Sequence, residues 1–250
     1  MDNATKRQLK KQDQFVSATE HGIAWAQQNR TQAIVYAAAA VAVILAIIGG
    51  YTLYEHRSAA AETAFGAAMQ TYQTPVLDPA QPLPPGMKSF PDAKARAAAA
   101  NPQFVQVANQ YGLTKAGKLA LYFAGLTYMD EGQNGPAEDA LKPVAASWDS
   151  GVAALGKMAL AGLYRQTGRD AQAIDIYNEL AKGKAATVPA GLAQIQLAEL
   201  YQSEGKTEDA RKIYSALKDN DKDSKGKPGP AAQVAIEKLN PKTAAGPEAQ

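Results

Sequence analysis

His21 and His56 are the only histidines in the 250-residue chain, and it has no cysteine. The two stand on opposite sides of a long apolar run, so one chain cannot build a Ser-His-Asp triad or a His-based zinc site from them. Asp219, Asp221 and Asp223 alternate like the first ligands of a calcium loop. Such a loop needs Gly at its sixth place and Glu at its twelfth, and here Ser224 and Pro230 stand there. The stretch DNDKDSKGKPGP therefore reads as a solvated linker of mixed charge. Gly132, Gly168 and Gly205 are turn glycines, and no G-x-x-x-x-G-K-[ST] phosphate cradle occurs. We assign no catalytic, cofactor-binding or metal-binding residue, and the chain is expected not to be an enzyme. Without cysteine there is no disulfide, and redox usage does not reveal the compartment.

The chain carries 26 basic and 24 acidic residues; five basic and three acidic ones fall in residues 1–30, which leaves 21 of each sign beyond. A nucleic-acid binder needs a basic face or stripe. No run beyond residue 30 supplies one, so nucleic acid is not expected as a partner.

The elements that would position any function begin with TQAIVYAAAAVAVILAIIGGYTLY, residues 31–54, which holds 24 residues without a charge. A helix rises about 1.5 Å per residue and the hydrocarbon layer is roughly 30 Å thick, so this run is long enough to cross. A signal peptide has an apolar core of about 7–15 residues; this run is longer and starts late, although Ala59, Ala60 and Ala61 imitate a cleavage site. A buried core helix would share the composition. Arg30 on one side, Glu55, His56 and Arg57 on the other, and Tyr36, Tyr51 and Tyr54 near the ends fit a membrane span better. Lys6, Arg7, Lys10, Lys11 and Arg30 precede the run, and Arg57 is the only Lys or Arg in the thirty residues after it. The positive-inside rule then puts the tail 1–30 in the cytoplasm and the rest across the membrane, in a bacterium the periplasm. Within the span Ala38, Ala42, Ala46 and Gly50 recur every four residues, a stripe suited to helix–helix contact in lipid. Before it, Phe15, Thr19, Ile23 and Ala26 share a helical face beside Trp25, which suits an interfacial helix or an ordered tail.

Past the span, 55–74 reads as a helix continuing outward, with Ala61, Phe65, Met69 and Tyr72 at helical spacing. Residues 75–91 hold six prolines in seventeen residues, which denies helix and central strand and reads as an extended loop. Residues 92–218 repeat. One unit starts LALYFAGLTYMDEGQNGPAEDALKPV at Leu119, the next LGKMALAGLYRQTGRDAQAIDIYNEL at Leu155, the third LAQIQLAELYQSEGKTEDARKIYSAL at Leu192. Their tyrosines, Tyr128, Tyr164 and Tyr201, are 36 and 37 residues apart. In the last two units Gly168 and Gly205 end a helix, Ala173 and Ala210 let two helices approach, and Tyr177, Tyr214, Leu180 and Leu217 fill the space between pairs. The first unit reads as carrying an insertion at Asn134, Gly135 and Pro136, with Ala140 as its small residue. Residues 219–230 form a linker and 231–250 a short helix with a loose tail.

This pattern resembles the tetratricopeptide repeat, which implies an all-α fold: a single N-terminal transmembrane helix followed by a helical-hairpin solenoid. The order of parts over roughly residues 13–240 is similar to the YfgM-type family, the ancillary subunit of the Sec translocon. That resemblance implies a bacterial inner-membrane protein facing the periplasm, associated with the translocation channel and with periplasmic chaperones. The first helices of the repeats would then line a groove with Tyr122, Leu126, Met129, Met158, Arg165, Ile195, Glu199 and Gln202. Met and aromatic side chains repack easily around variable apolar segments, and the lack of a Lys and Asn ring argues against capture of a C-terminal carboxylate. The alternative is a structural oligomerisation or envelope-assembly protein, whose repeats bind copies of themselves in a homo-oligomer, or an outer-membrane assembly platform, and take no client.

Overall fold

The computed structural model describes residues 27–77, 86, 88–222 and 226–240. The expected interfacial face around Phe15 to Ala26, the flanking cations Lys6 to Lys11, His21, most of the Pro-rich loop, Asp223 and the tail from Pro241 lie outside the described residues. The chain divides into two compact units, Met1–His56 and Arg57–Gln250. The described residues are all-α, with nine helices and only isolated bridges between extended segments.

The helix α1, Arg30–Tyr72, begins in the first unit and ends in the second. Its run of Ala, Val, Ile and Leu meets no proline, and helix satisfies each backbone group within the segment, as an apolar surrounding requires. In the first unit this helix is long and apolar enough to cross a membrane, and none of its most apolar window is buried by protein. Ala38, Ala42, Ala46 and Gly50 are exposed, and a Cβ added at Gly50 would meet nothing within 4 Å. A helix apolar all round needs a cover of lipid or protein.

The second unit starts with the α1 residues from Arg57 onward. Ala61 and Ala68 are buried, and Phe65 and Tyr72 come off the same face. They meet α2 (Ala93–Tyr111) and α3 (Lys115–Asp130) in an aromatic cluster: Phe104 and Phe123 stack at 5.3 Å, with Phe65 5.9 and 5.7 Å from them. Such pairs add about 0.5–1.5 kcal/mol each beyond burial. The Asp92 carboxylate accepts from the Ala95 amide at 2.6 Å and starts α2. The two ends of the Pro-rich segment are fastened together, with the Leu77 amide donating to the Phe90 carbonyl at 3.0 Å and the Phe90 amide to the Pro75 carbonyl at 2.9 Å.

From α3 onward the helices pack in sequence as antiparallel pairs: α3 with α4 (Asn134–Ala145), α5 (Ser150–Gln166) with α6 (Asp170–Lys182), α7 (Ala190–Ser203) with α8 (Thr207–Asn220), and α9 (Pro230–Leu239) against α8 and α7. Gly132, Gly168 and Gly205 have φ of 79°, 72° and 77°, a left-handed conformation that only glycine adopts cheaply. In each turn the amide after the glycine returns to the repeat tyrosine: Gln133 to Tyr128, Arg169 to Tyr164 and Lys206 to Tyr201, all at 2.8 Å.

The three turns are superposable in sequence, and this corrects the reading of the first unit. No insertion follows Gly132. Ala137, fully buried, stands five residues after its glycine just as Ala173 and Ala210 do, and Leu141 and Val144 take the places of Tyr177 with Leu180 and of Tyr214 with Leu217. Gly135 and Pro136 fall in the first turn of α4, where a proline lacks only an amide that has no helical partner.

Candidate protein-binding face

Helices α3, α5 and α7 are the first members of the three hairpins; α3 packs on α5, and α9 extends the row by packing on α7. Every residue expected in the groove stands on this row, and its character changes along it.

On α3 and the N-terminal half of α5 the side chains are apolar and half-buried. Tyr122 sets its ring edge-on to Phe123 at 5.2 Å, and burial raises its hydroxyl pKa above the usual tyrosine value. Met129 and Met158 lie against the core of Leu141, Leu160, Tyr164 and Tyr177, and Leu126 is half-buried too. Met158 also touches the smaller cluster of Leu180 and Val188. Two glycines make this packing close. A Cβ at Gly125 would come 2.6 Å from the Leu141 side chain, and one at Gly156 would come 2.6 Å from the Ala145 amide nitrogen.

Further along, the row becomes polar. Arg165 on α5 donates from Nη1 to Gln196 Oε1 on α7 at 3.5 Å, Gln196 Nε2 donates to Glu199 Oε2 at 3.2 Å, and Glu199 faces Lys238 Nζ on α9 at 3.4 Å. Below this ladder the Tyr214 hydroxyl donates to Gln202 Oε1 at 3.3 Å. Burial raises the Tyr177 and Tyr214 hydroxyl pKa values, and the Arg165 charge opposes both shifts. The ladder ends at a cleft of about 220 Å³ lined by Gln202, Thr207, Arg211, Tyr214, Lys238 and Leu239.

Ile195 departs from expectation. It is only 8% exposed and sits in the core with Ala198, Tyr214, Leu217 and Ala235. Helix α7 packs on α6, α8 and α9, so it has less free surface than a single repeat would suggest. Gln196 and Lys238 were not picked out from sequence, and Tyr214 only as a residue filling the space between helix pairs. Gln196 was within reach, because it stands three residues before Glu199 on one helical face; Lys238 was not, since α9 follows the repeats without belonging to their pattern.

The acidic string has a structural use: Asp221 Oδ2 accepts from the Ala232 amide at 2.8 Å and so caps α9. Among the described residues no group of three or more His, Cys, Asp or Glu side chains is placed to hold a metal ion.

No family model, no curated protein and no solved structure matches the chain. Its own structure is that of an all-helical protein with a long apolar N-terminal helix and stacked helical pairs.

Proposed function

We propose that the chain is a membrane-anchored scaffold whose row of first helices binds extended polypeptide, and that it performs no catalysis. The observation that carries this reading is the half-buried apolar strip of Tyr122, Met129 and Met158, on the same row of helices as the ladder from Arg165 to Lys238. Flexible thioethers and an aromatic ring accept apolar segments of varied shape, and the ladder offers charged and amide groups to the backbone or side chains of the same segment. The apolar part of α1 supplies the anchor. The cations that precede it in the sequence favour a cytoplasmic N-terminus with the helical array in the periplasm. The resemblance of its parts to the YfgM-type family supports a role ancillary to the Sec translocon or in handing secreted polypeptides to periplasmic chaperones.

A peptide array probed with the detergent-solubilised full chain tests the binding face. Tyr122→Ala combined with Met158→Ala should remove most bound spots, and raised salt should weaken only the acidic and basic ones. Binding left intact by the double substitution, with the thermal midpoint preserved, rules the face out. Concentration-dependent self-association with no peptide bound would favour the oligomerisation reading instead.

A further inference from the structure

Outside the groove, the two most exposed large hydrophobic side chains among the described residues of the second unit are Leu113, 88% exposed, and Trp148, 80% exposed; Leu192 and Val76 follow at 43% and 38%. Both stand in turns at the same end of the array. Leu113 is in the α2–α3 turn and Trp148 in the α4–α5 turn. Lys115 reaches Asp149 at 3.6 Å from one turn to the other, and Lys118 Nζ lies 3.3 Å from Ser147 Oγ and 4.8 Å above the Trp148 ring. The α6–α7 turn joins them where the Thr187 hydroxyl donates to the Gly151 carbonyl at 2.8 Å, and it brings Lys182 and Lys184. The one carboxylate between these turns, Asp149, is already taken up: it accepts from the Val152 and Gly151 amides and faces Lys115, and its pKa lies below the usual aspartate value.

The first residue of this unit, Arg57, is fastened at the same end. Arg57 donates from Nη2 to the Gln110 carbonyl at 2.7 Å, in the last turn of α2 before Leu113. In the sequence Arg57 stands three residues after Tyr54, the last residue of the uncharged run, a length of chain that even fully extended spans about 10 Å.

We propose that Leu113 and Trp148, with Arg57, Lys115 and Lys118 around them, form a foot that rests on the lipid surface where the apolar run enters the bilayer. The proposal depends on the reading of that run as a membrane anchor. Indole prefers the headgroup level, where its ring is in an apolar layer and its N–H is wet. Lysines beside it keep their charges among lipid phosphates and are drawn to anionic lipid. The lipid is the occupant the covalent tether guarantees, since the anchor keeps a bilayer within reach of this end at all times.

Trp25 and Trp148 are the only tryptophans, so the full chain carrying Trp25→Phe reports on Trp148 alone. We would place it in nanodiscs of phosphatidylcholine, with and without phosphatidylglycerol, using acyl chains that are plain or brominated next to the headgroup. The foot predicts a blue-shifted emission that brominated lipid quenches, more strongly when phosphatidylglycerol is present, and less after Leu113→Glu. Unquenched emission at the position of a water-exposed indole, in particles that do contain the chain, overturns the foot and leaves the anchor standing. A blue shift without quenching means that protein covers Trp148, and overturns it as well. A chain that does not enter the particles at all overturns both readings.

Discussion

The two halves of the candidate face rest on the same hairpin geometry and offer a ligand different chemistry. Around Tyr122, Met129 and Met158 the side chains lean on a core built from α4, α5, α6 and α7. From Arg165 to Lys238 they lean on one another, through hydrogen bonds and one ion pair that link α5, α7 and α9. Apolar contact is nearly indifferent to sequence and to salt, whereas charged contact selects and is screened. The turns explain how both can coexist. The glycine, alanine and large apolar positions set the spacing of each hairpin and leave the outward positions of the first helices free to differ.

The sharpest way to break the comparison is to remove what the halves share. Leu141 is fully buried and packs against Gly125, so Leu141→Ala should cost about 2–5 kcal/mol and lower the thermal midpoint of the full chain by calorimetry. Peptide binding by both halves should fall with it. A loss confined to the apolar half would mean that the hairpins fold independently.

Next come the close contacts between paired helices. Ala137→Leu, Ala173→Leu and Ala210→Leu each insert volume at a fully buried site and should each cost about 1–3 kcal/mol. Equal losses at the three sites support a common register. An unchanged midpoint for Ala137→Leu would restore the insertion in the first unit.

The smallest effect concerns the junction between the halves. Glu138 on α4 accepts from Lys142 at 2.9 Å, Arg169 at 2.7 Å and the Tyr164 hydroxyl at 3.2 Å. The hydrogen bonds from Lys142 and then Arg169 hold its pKa below the usual glutamate value. A carboxylate with a depressed folded pKa contributes stability above its unfolded pKa and loses it as pH falls through the folded one. Chemical denaturation should therefore show stability declining as pH drops through the carboxylate range, with a shallower slope in Glu138→Gln. An identical slope in the variant assigns the decline to other groups.

What was legible in the sequence was whatever depends on a residue's own conformation. Gly168 and Gly205 declare their turns because no other residue takes positive φ at low cost, and residues 31–54 declare a long apolar helix by composition. The first unit was misread because Gly135 and Pro136 are breakers in most contexts, yet the first helical turn tolerates both. Gly125 and Gly156 gave no signal, since their requirement lies in Leu141 and Ala145 on another helix. Ile195 has the spacing of a surface position, but the neighbours of α7 decide its burial, and α9 brings one of them from outside the repeats. On the face itself, residue types were readable and their partners were not: Arg165 and Glu199 stand out as charges, while the link through Gln196 to Lys238 exists only once the helices are packed.

The central claim, that the row of first helices meets extended polypeptide, is tested most directly by contact in the living cell. A photo-crosslinking amino acid placed singly at Tyr122, Met158 or Gln202, and at the exposed Asp175 of α6 as the outer-helix control, would be activated in intact cells and the attached proteins identified. The account predicts adducts with varied secreted polypeptides from Tyr122 and Met158, fewer and more charged ones from Gln202, and none of these from Asp175. Adducts from Asp175 alone, or only with further copies of this chain from every position, would contradict it.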